Sequence, residues 1–218
     1  MNMKAAVVEV VITPPVGVEL AGYGFGPSVG VLEDLRAQVL VIDDGETTAA
    51  LLTIDLLAVG PEFVNDVRRR VEAKTGIPAS NVLIAASHSH SAPTTMPLRQ
   101  WGQVDAAYAQ VLQAHLVGAV AMAMARLTPA RVGWGVGQVD VISENRRGGR
   151  DLIDSAVTVL RIDSQEGLPL AVLTNFGCHP VTLHSYRNLL SPDYPGPMRR
   201  VVRSALGTAL RAKPTVMF

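Results

Sequence analysis

A chain of 218 residues, 48% of them hydrophobic, can fill one sizeable core. Its 19 basic residues balance its 19 acidic ones, so no net field favours nucleic acid or an anionic membrane, and neither is an expected partner. A lone Cys178 rules out an internal disulfide.

The first predicted strand is AAVVEVVI, ended by Thr13, Pro14 and Pro15, because consecutive prolines cannot donate to a ladder. An irregular loop follows, GVELAGYGFGPSVG, whose glycines permit left-handed backbone and close approach. It is either a surface loop or the wall of a pocket. AQVLVIDDGETTAALLTID is predicted as a β-hairpin turning at Asp43-Asp44-Gly45, with Asp55 at its exit, placed to orient a ligand or cap a helix. Residues 61–76 carry Val64, Val67 and Val71 on one helical face, with Pro61 suited to the first turn and Gly76 to the stop.

A strand over 81–86 then runs into SHSHSAP. Residues 103–127 are predicted as a helix with an apolar stripe of Tyr108, Val111, Leu112, Leu116, Ala119 and Val120. Its most apolar part is about a dozen residues long, short of the roughly 20 that span a bilayer. No transmembrane segment is expected, no cleavable leader is visible, and a cytoplasmic location follows. His115 on that helix reads as a packing or surface residue. After it come a strand in ARVGWGVGQVDVIS, a loop in ENRRGGRD, and a second hairpin in SAVTVLRIDSQEGLPLAVLTNFGCHP. The second hairpin repeats the layout of the first, a weak sign of an internal repeat. These elements predict an α/β fold, with mixed β-sheets flanked by helices on the outer faces, in a single domain.

Chemistry concentrates at two strand exits. His88 and His90, two residues apart, share one face if the strand stays extended. Neutral imidazoles are common zinc ligands, so the pair is a candidate half-site, with Ser87, Ser89 and Ser91 available to orient the rings. The plainer alternative is two polar histidines in a surface loop. His179, at the exit of the second hairpin, is either the complement of that half-site or a buried histidine bonded to backbone. His184 beyond it reads as a solvated loop residue. Arg146, Arg147 and Arg150 offer guanidinium donors for a substrate oxygen. Asp193 and Tyr194 lie in a loop framed by prolines.

Taken together, ITPPVGVELAGYG, LLTIDLL, VLIAASHSHSAP, NRR, NFGCHPVTL and SPDYPG, in that order along nearly the whole chain, resemble the N-terminal catalytic domain of the neutral/alkaline non-lysosomal ceramidases. The resemblance implies a zinc-dependent amidase that cleaves the N-acyl amide of ceramide to sphingosine and a fatty acid. It implies zinc on His88 and His179, catalytic roles for His90 and Arg146 facing substrate, and substrate contacts near Gly22, Tyr23 and Asp193. It also implies a glutamate and a tyrosine as further zinc ligands in later sequence, so residues 1–218 are expected to lack the domain's C-terminal part. A sheet edge exposed by such a cut would invite self-association. Two alternatives remain: a metal-dependent hydrolase of another N-acyl or amide substrate, and a catalytically incomplete chain acting as a binding or scaffold domain.

Overall fold

The computed structural model describes residues 3–22, 26–99, 102–148, 152–183, 188–210 and 213–218. Its centre is β3 (Arg36–Asp43), antiparallel to β1 (Lys4–Val11) on one side and to β4 (Thr48–Ile54) on the other. Successive residues of β3 point to opposite faces, yet both faces are buried. Val39 and Val41 look one way, and Leu40 and Ile42 the other. That is why RAQVLVID reads as a continuous apolar run.

The Val39 face packs against two helices, α1 (Pro61–Thr75) and α2 (Ala106–Met124). Helix α1 has proline in its first turn and ends on left-handed Gly76 (φ 78°), whose amide donates to the Glu72 carbonyl. It buries Phe63, Val67 and Val71. Helix α2 begins after Asp105, whose carboxylate accepts from the Tyr108 amide. The cap explains why the helix starts later than residue 103. By length and composition α2 is apolar enough to cross a membrane. Here Leu112, Leu116 and Val120 lie in the core with β1 and β3. From β4, α1 leads to β5 (Val82–Ala86), parallel to β4 and paired from Ala50↔Val82 to Ile54↔Ala86.

The Leu40 face packs against a second group of strands: β6 (Thr128–Gln138), β7 (Ala156–Ser164), β8 (Pro169–Phe176) and β10 (Thr215–Met217). Lys4 and Ala5 of β1 pair with Pro129 and Thr128 of β6, which joins the groups into one eight-stranded sheet ordered β10-β8-β7-β6-β1-β3-β4-β5. The sheet folds over so that β8 lies against β1, and β10 against β1 and β3. Ala5, Leu40, Ala130, Ile162, Ala171 and Met217 form the core between its halves. Helix α3 (Pro195–Leu210) precedes β10, which is parallel to β8. A short parallel pair, β2 (Gly30–Val31) with β9 (Leu189–Leu190), closes one end.

The mixed sheet with outer helices is the predicted fold. The two hairpins are repeated in topology as well as in layout. Each half runs strand, hairpin, helix and a last strand parallel to the hairpin's second arm: β1-β3-β4-α1-β5 and β6-β7-β8-α3-β10. Helix α3 was not anticipated from the sequence.

Candidate metal centre

The two halves deliver three histidines to one point. Strand β5 ends at Ala86, and His88 then takes a left-handed backbone conformation (φ 67°). The simple alternation expected of an extended strand is therefore broken before the second histidine. A non-glycine residue at positive φ is strained, and surrounding bonds hold it there. The Ser87 amide donates to the Ile54 carbonyl and the His88 amide to the Leu56 carbonyl. The His88 ring places Nδ1 2.7 Å from the Leu57 carbonyl oxygen. That contact assigns the proton to Nδ1 and leaves Nε2 with a free lone pair, the tautomer a metal ligand needs.

His90, 6% exposed, points to the same spot. Its Nε2 lies 2.8 Å from His179 Nε2. The ring centroids are 5.1 Å apart for His88 and His90, 4.8 Å for His88 and His179, and 4.7 Å for His90 and His179. The candidate ligand nitrogens all lie within 4.8 Å of one another. Two nitrogens bound tetrahedrally to one zinc at 2.0–2.1 Å would sit roughly 3.3 Å apart. The donor set fits such an ion in chemistry, and small ring movements bring it to that spacing.

The electrostatics favour the neutral forms of His90 and His179. Burial, then the neighbouring His179 and His88, lower the His90 pKa to about 4, with the Gly22 backbone, which favours a protonated ring, opposing the shift. His179 is lowered too, by burial, His88 and Arg146, with Asp193 opposing. Neutral imidazoles at pH 7 are ready to bind a cation without first losing a proton.

Gly22 sits against His90. It has φ 107°, and a Cβ there would lie 2.4 Å from His90 Nδ1. Only glycine combines that backbone angle with that approach. The loop is seated by the Ala21 amide donating to the Ala92 carbonyl. Tyr23, with Arg150 and His184, lies outside the described residues.

Arg146 is exposed, and its charge is felt by both His90 and His179. Asp193 is 2% exposed and turned inward: its carboxylate accepts hydrogen bonds from Thr182, Leu183 and Tyr194. The serines of the SHSHS run bond elsewhere than the rings. Ser87 Oγ lies 3.5 Å from Asp55, and Ser89 Oγ donates to the Ser191 carbonyl at 2.7 Å. Asp55 is buried in a two-point ion pair with Arg199 (2.8 and 2.6 Å), a residue the sequence did not single out. The sequence signal for this pair was the Asp55 charge at the exit of the apolar strand β4.

Beside His88 and His179 opens a cavity of about 580 Å3 between the two halves of the sheet, with Leu51, Leu83, Leu173 and Phe218 in its walls. His115 lines a separate, smaller pocket with Tyr108 and Val111.

Solved structures share this fold. The crystal structure of neutral ceramidase from Pseudomonas aeruginosa superposes with a TM-score of 0.85 at 20% identity, covering 100% of this chain and 38% of that one. A ceramidase complexed with C2 gives 0.84 at 20% identity, covering 100% and 37%. The chain thus spans little more than a third of the solved structures it matches. The family described as neutral/alkaline non-lysosomal ceramidase, N-terminal, matches residues 9–206, and the chain belongs to that family.

Proposed function

We propose that this chain carries the histidine part of a zinc amidase site, hydrolysing the N-acyl amide of ceramide to sphingosine and a fatty acid. The observation that carries the reading is the convergence of His88, His90 and His179 from two halves of the sheet, with their nitrogens within 4.8 Å. His88 and His179 hold the metal, and the further ligands are those the family resemblance implies in later sequence. When bound, zinc supplies Lewis acidity at the amide carbonyl and a nucleophile at neutral pH. His90 and Arg146 face the carbonyl and donate to the oxygen as it gains negative charge. The apolar walls of the neighbouring cavity suit an acyl chain.

One observation favours a second arrangement of the same centre. The Gly22 backbone is packed on the Nδ1 side of His90, while Nε2 faces His179. A proton on Nδ1 leaves Nε2 as a lone-pair donor, which suits a third metal ligand better than an oxyanion donor.

Zinc content and turnover of N-acyl substrates by the full-length polypeptide test the reading, with long-chain ceramide among shorter N-acyl amides. Stoichiometric zinc with preferential ceramide cleavage is expected. Zinc with preference for another amide would move the substrate and keep the chemistry. Absence of zinc would leave a binding or scaffold role. Loss of zinc on His90→Ala would identify the second arrangement. Residues 1–218 alone are expected to hydrolyse ceramide no faster than a zinc-only control.

A further inference from the structure

We propose that the turn Ser191–Tyr194, with Asp193 at its centre, is the positioning element that sets the gap between His179 and the His88–His90 pair. The proposal rests on reading the cluster as a metal centre. Asp193 has a left-handed backbone (φ 59°) and a side chain sealed from solvent. One carboxylate oxygen accepts from the Thr182 amide at 3.0 Å and the Leu183 amide at 3.2 Å. The other accepts from the Thr182 hydroxyl at 2.7 Å and the Tyr194 amide at 2.6 Å. These bonds hold the chain just after His179. The Tyr194 hydroxyl donates to the Cys178 carbonyl at 2.6 Å, which holds the chain just before it.

The same turn grips the other histidine segment. Ser89 Oγ donates to the Ser191 carbonyl at 2.7 Å, and the Ser191 amide donates to the Ser91 carbonyl at 2.9 Å. Those contacts flank His90. Ser191 Oγ accepts the Asp193 amide at 3.1 Å, so both grips belong to one hydrogen-bonded unit. His90 follows β5 of the first half and His179 follows β8 of the second, so the two come from opposite halves of the sheet. A single four-residue turn therefore bridges the halves where the ligands meet. Asp193 touches neither ring in its hydrogen bonds and acts through Thr182, Leu183 and Tyr194. Outer partners of this kind typically change metal affinity by about 10–100-fold when removed.

Asp193→Asn in the full chain replaces one acceptor oxygen with a donor facing donors and conserves shape. Two measurements separate the positioning role from general stability and from the metal reading. Imidazole NMR resonances of the metal-free protein report ring placement directly, and titration with Co2+ reports affinity and the visible spectrum of the site. Expected are shifted His179 and His90 resonances and Co2+ affinity lower by about 10–100-fold, with a native-like fold by far-UV circular dichroism. Tyr194→Phe, which removes only the grip on Cys178, should move the same resonances by less. It serves as the test should the Asn variant fail to fold. Unchanged resonances and unchanged Co2+ binding in the folded variant would overturn the proposal. Shifted resonances in a protein whose parent takes up no Co2+ would support the positioning role and overturn the metal reading.

Discussion

The two halves of the sheet share a topology and differ in how each holds its helix. In β1-β3-β4-α1-β5, α1 is fixed by Phe63, Val67 and Val71 in a core shared with α2. In β6-β7-β8-α3-β10, α3 is tied by arginines: Arg199 to Asp55, Arg203 to Glu9 and Arg200 to Glu33. All three carboxylates belong to the first half, so α3 is a clasp between halves rather than a cover for one. Apolar packing is non-directional and tolerates sliding, whereas a two-point guanidinium–carboxylate pair fixes position and angle. The clasp lies next to the histidines, because Asp55 also accepts the Arg36 amide and lies beside Ser87 at the head of the SHSHS run.

The largest effect expected is from Arg199→Ala. It strands the Asp55 carboxylate, 1% exposed, without its partner, and removal of one member of a buried pair costs about 3–5 kcal/mol. Urea unfolding should show that loss, and an unchanged midpoint would mean that the clasp holds nothing. Next is Arg146→Ala, from the second half's loop. If its guanidinium meets the oxyanion, ceramide turnover in the full-length protein should fall about 100–1000-fold with zinc content unchanged. Zinc loss, or full activity, would contradict the role. Gly22→Ala follows. It combines a left-handed backbone, costing about 1–2 kcal/mol for a residue with Cβ, with a collision against His90. Metal affinity should drop further than stability, since the ring must move before the loop yields. Equal metal binding by parent and variant would show that the Gly22–His90 contact is incidental.

This contrast also explains what was legible in the sequence. The first half announces itself through period: VLVI alternates across a sheet buried on both faces, and Val67 and Val71 lie one helical turn apart. Strand exits with histidine were legible because ligand chemistry is local. Helix α3 was not, because its anchors are arginines whose partners lie far away in sequence, and Val201 faces solvent at 68% exposure. Its opening PGP reads as loop, although proline suits a first helical turn. The left-handed His88 and the inward turn of Asp193 were equally hidden. Both conformations are imposed by partners outside the local motif, the Leu56 and Leu57 carbonyls about thirty residues away for one, and Thr182 and Leu183, eleven and ten residues upstream, for the other.

The smallest effect expected sharpens the comparison within the clasp itself. Arg203 donates to both oxygens of Glu9, at 3.1 and 3.2 Å, and its Nε donates to the Pro214 carbonyl. Its side chain is 37% exposed, against 6% for Arg199. Water screens the pair, and Glu9 retains Arg36 at 3.2 Å and Gln38 at 3.1 Å when Arg203 is gone. Arg203→Ala therefore leaves no orphaned charge, and its cost should be about 1 kcal/mol or less. The two arginines lie four residues apart on one helix, so the pair of variants isolates burial from distance along the helix. Equilibrium unfolding at low and high salt is the measurement. The Arg203 effect should fade as salt rises, while the Arg199 effect should persist, because a buried pair is little screened. Equal losses for the two variants would mean that α3 is held by its whole length rather than by the Asp55 contact.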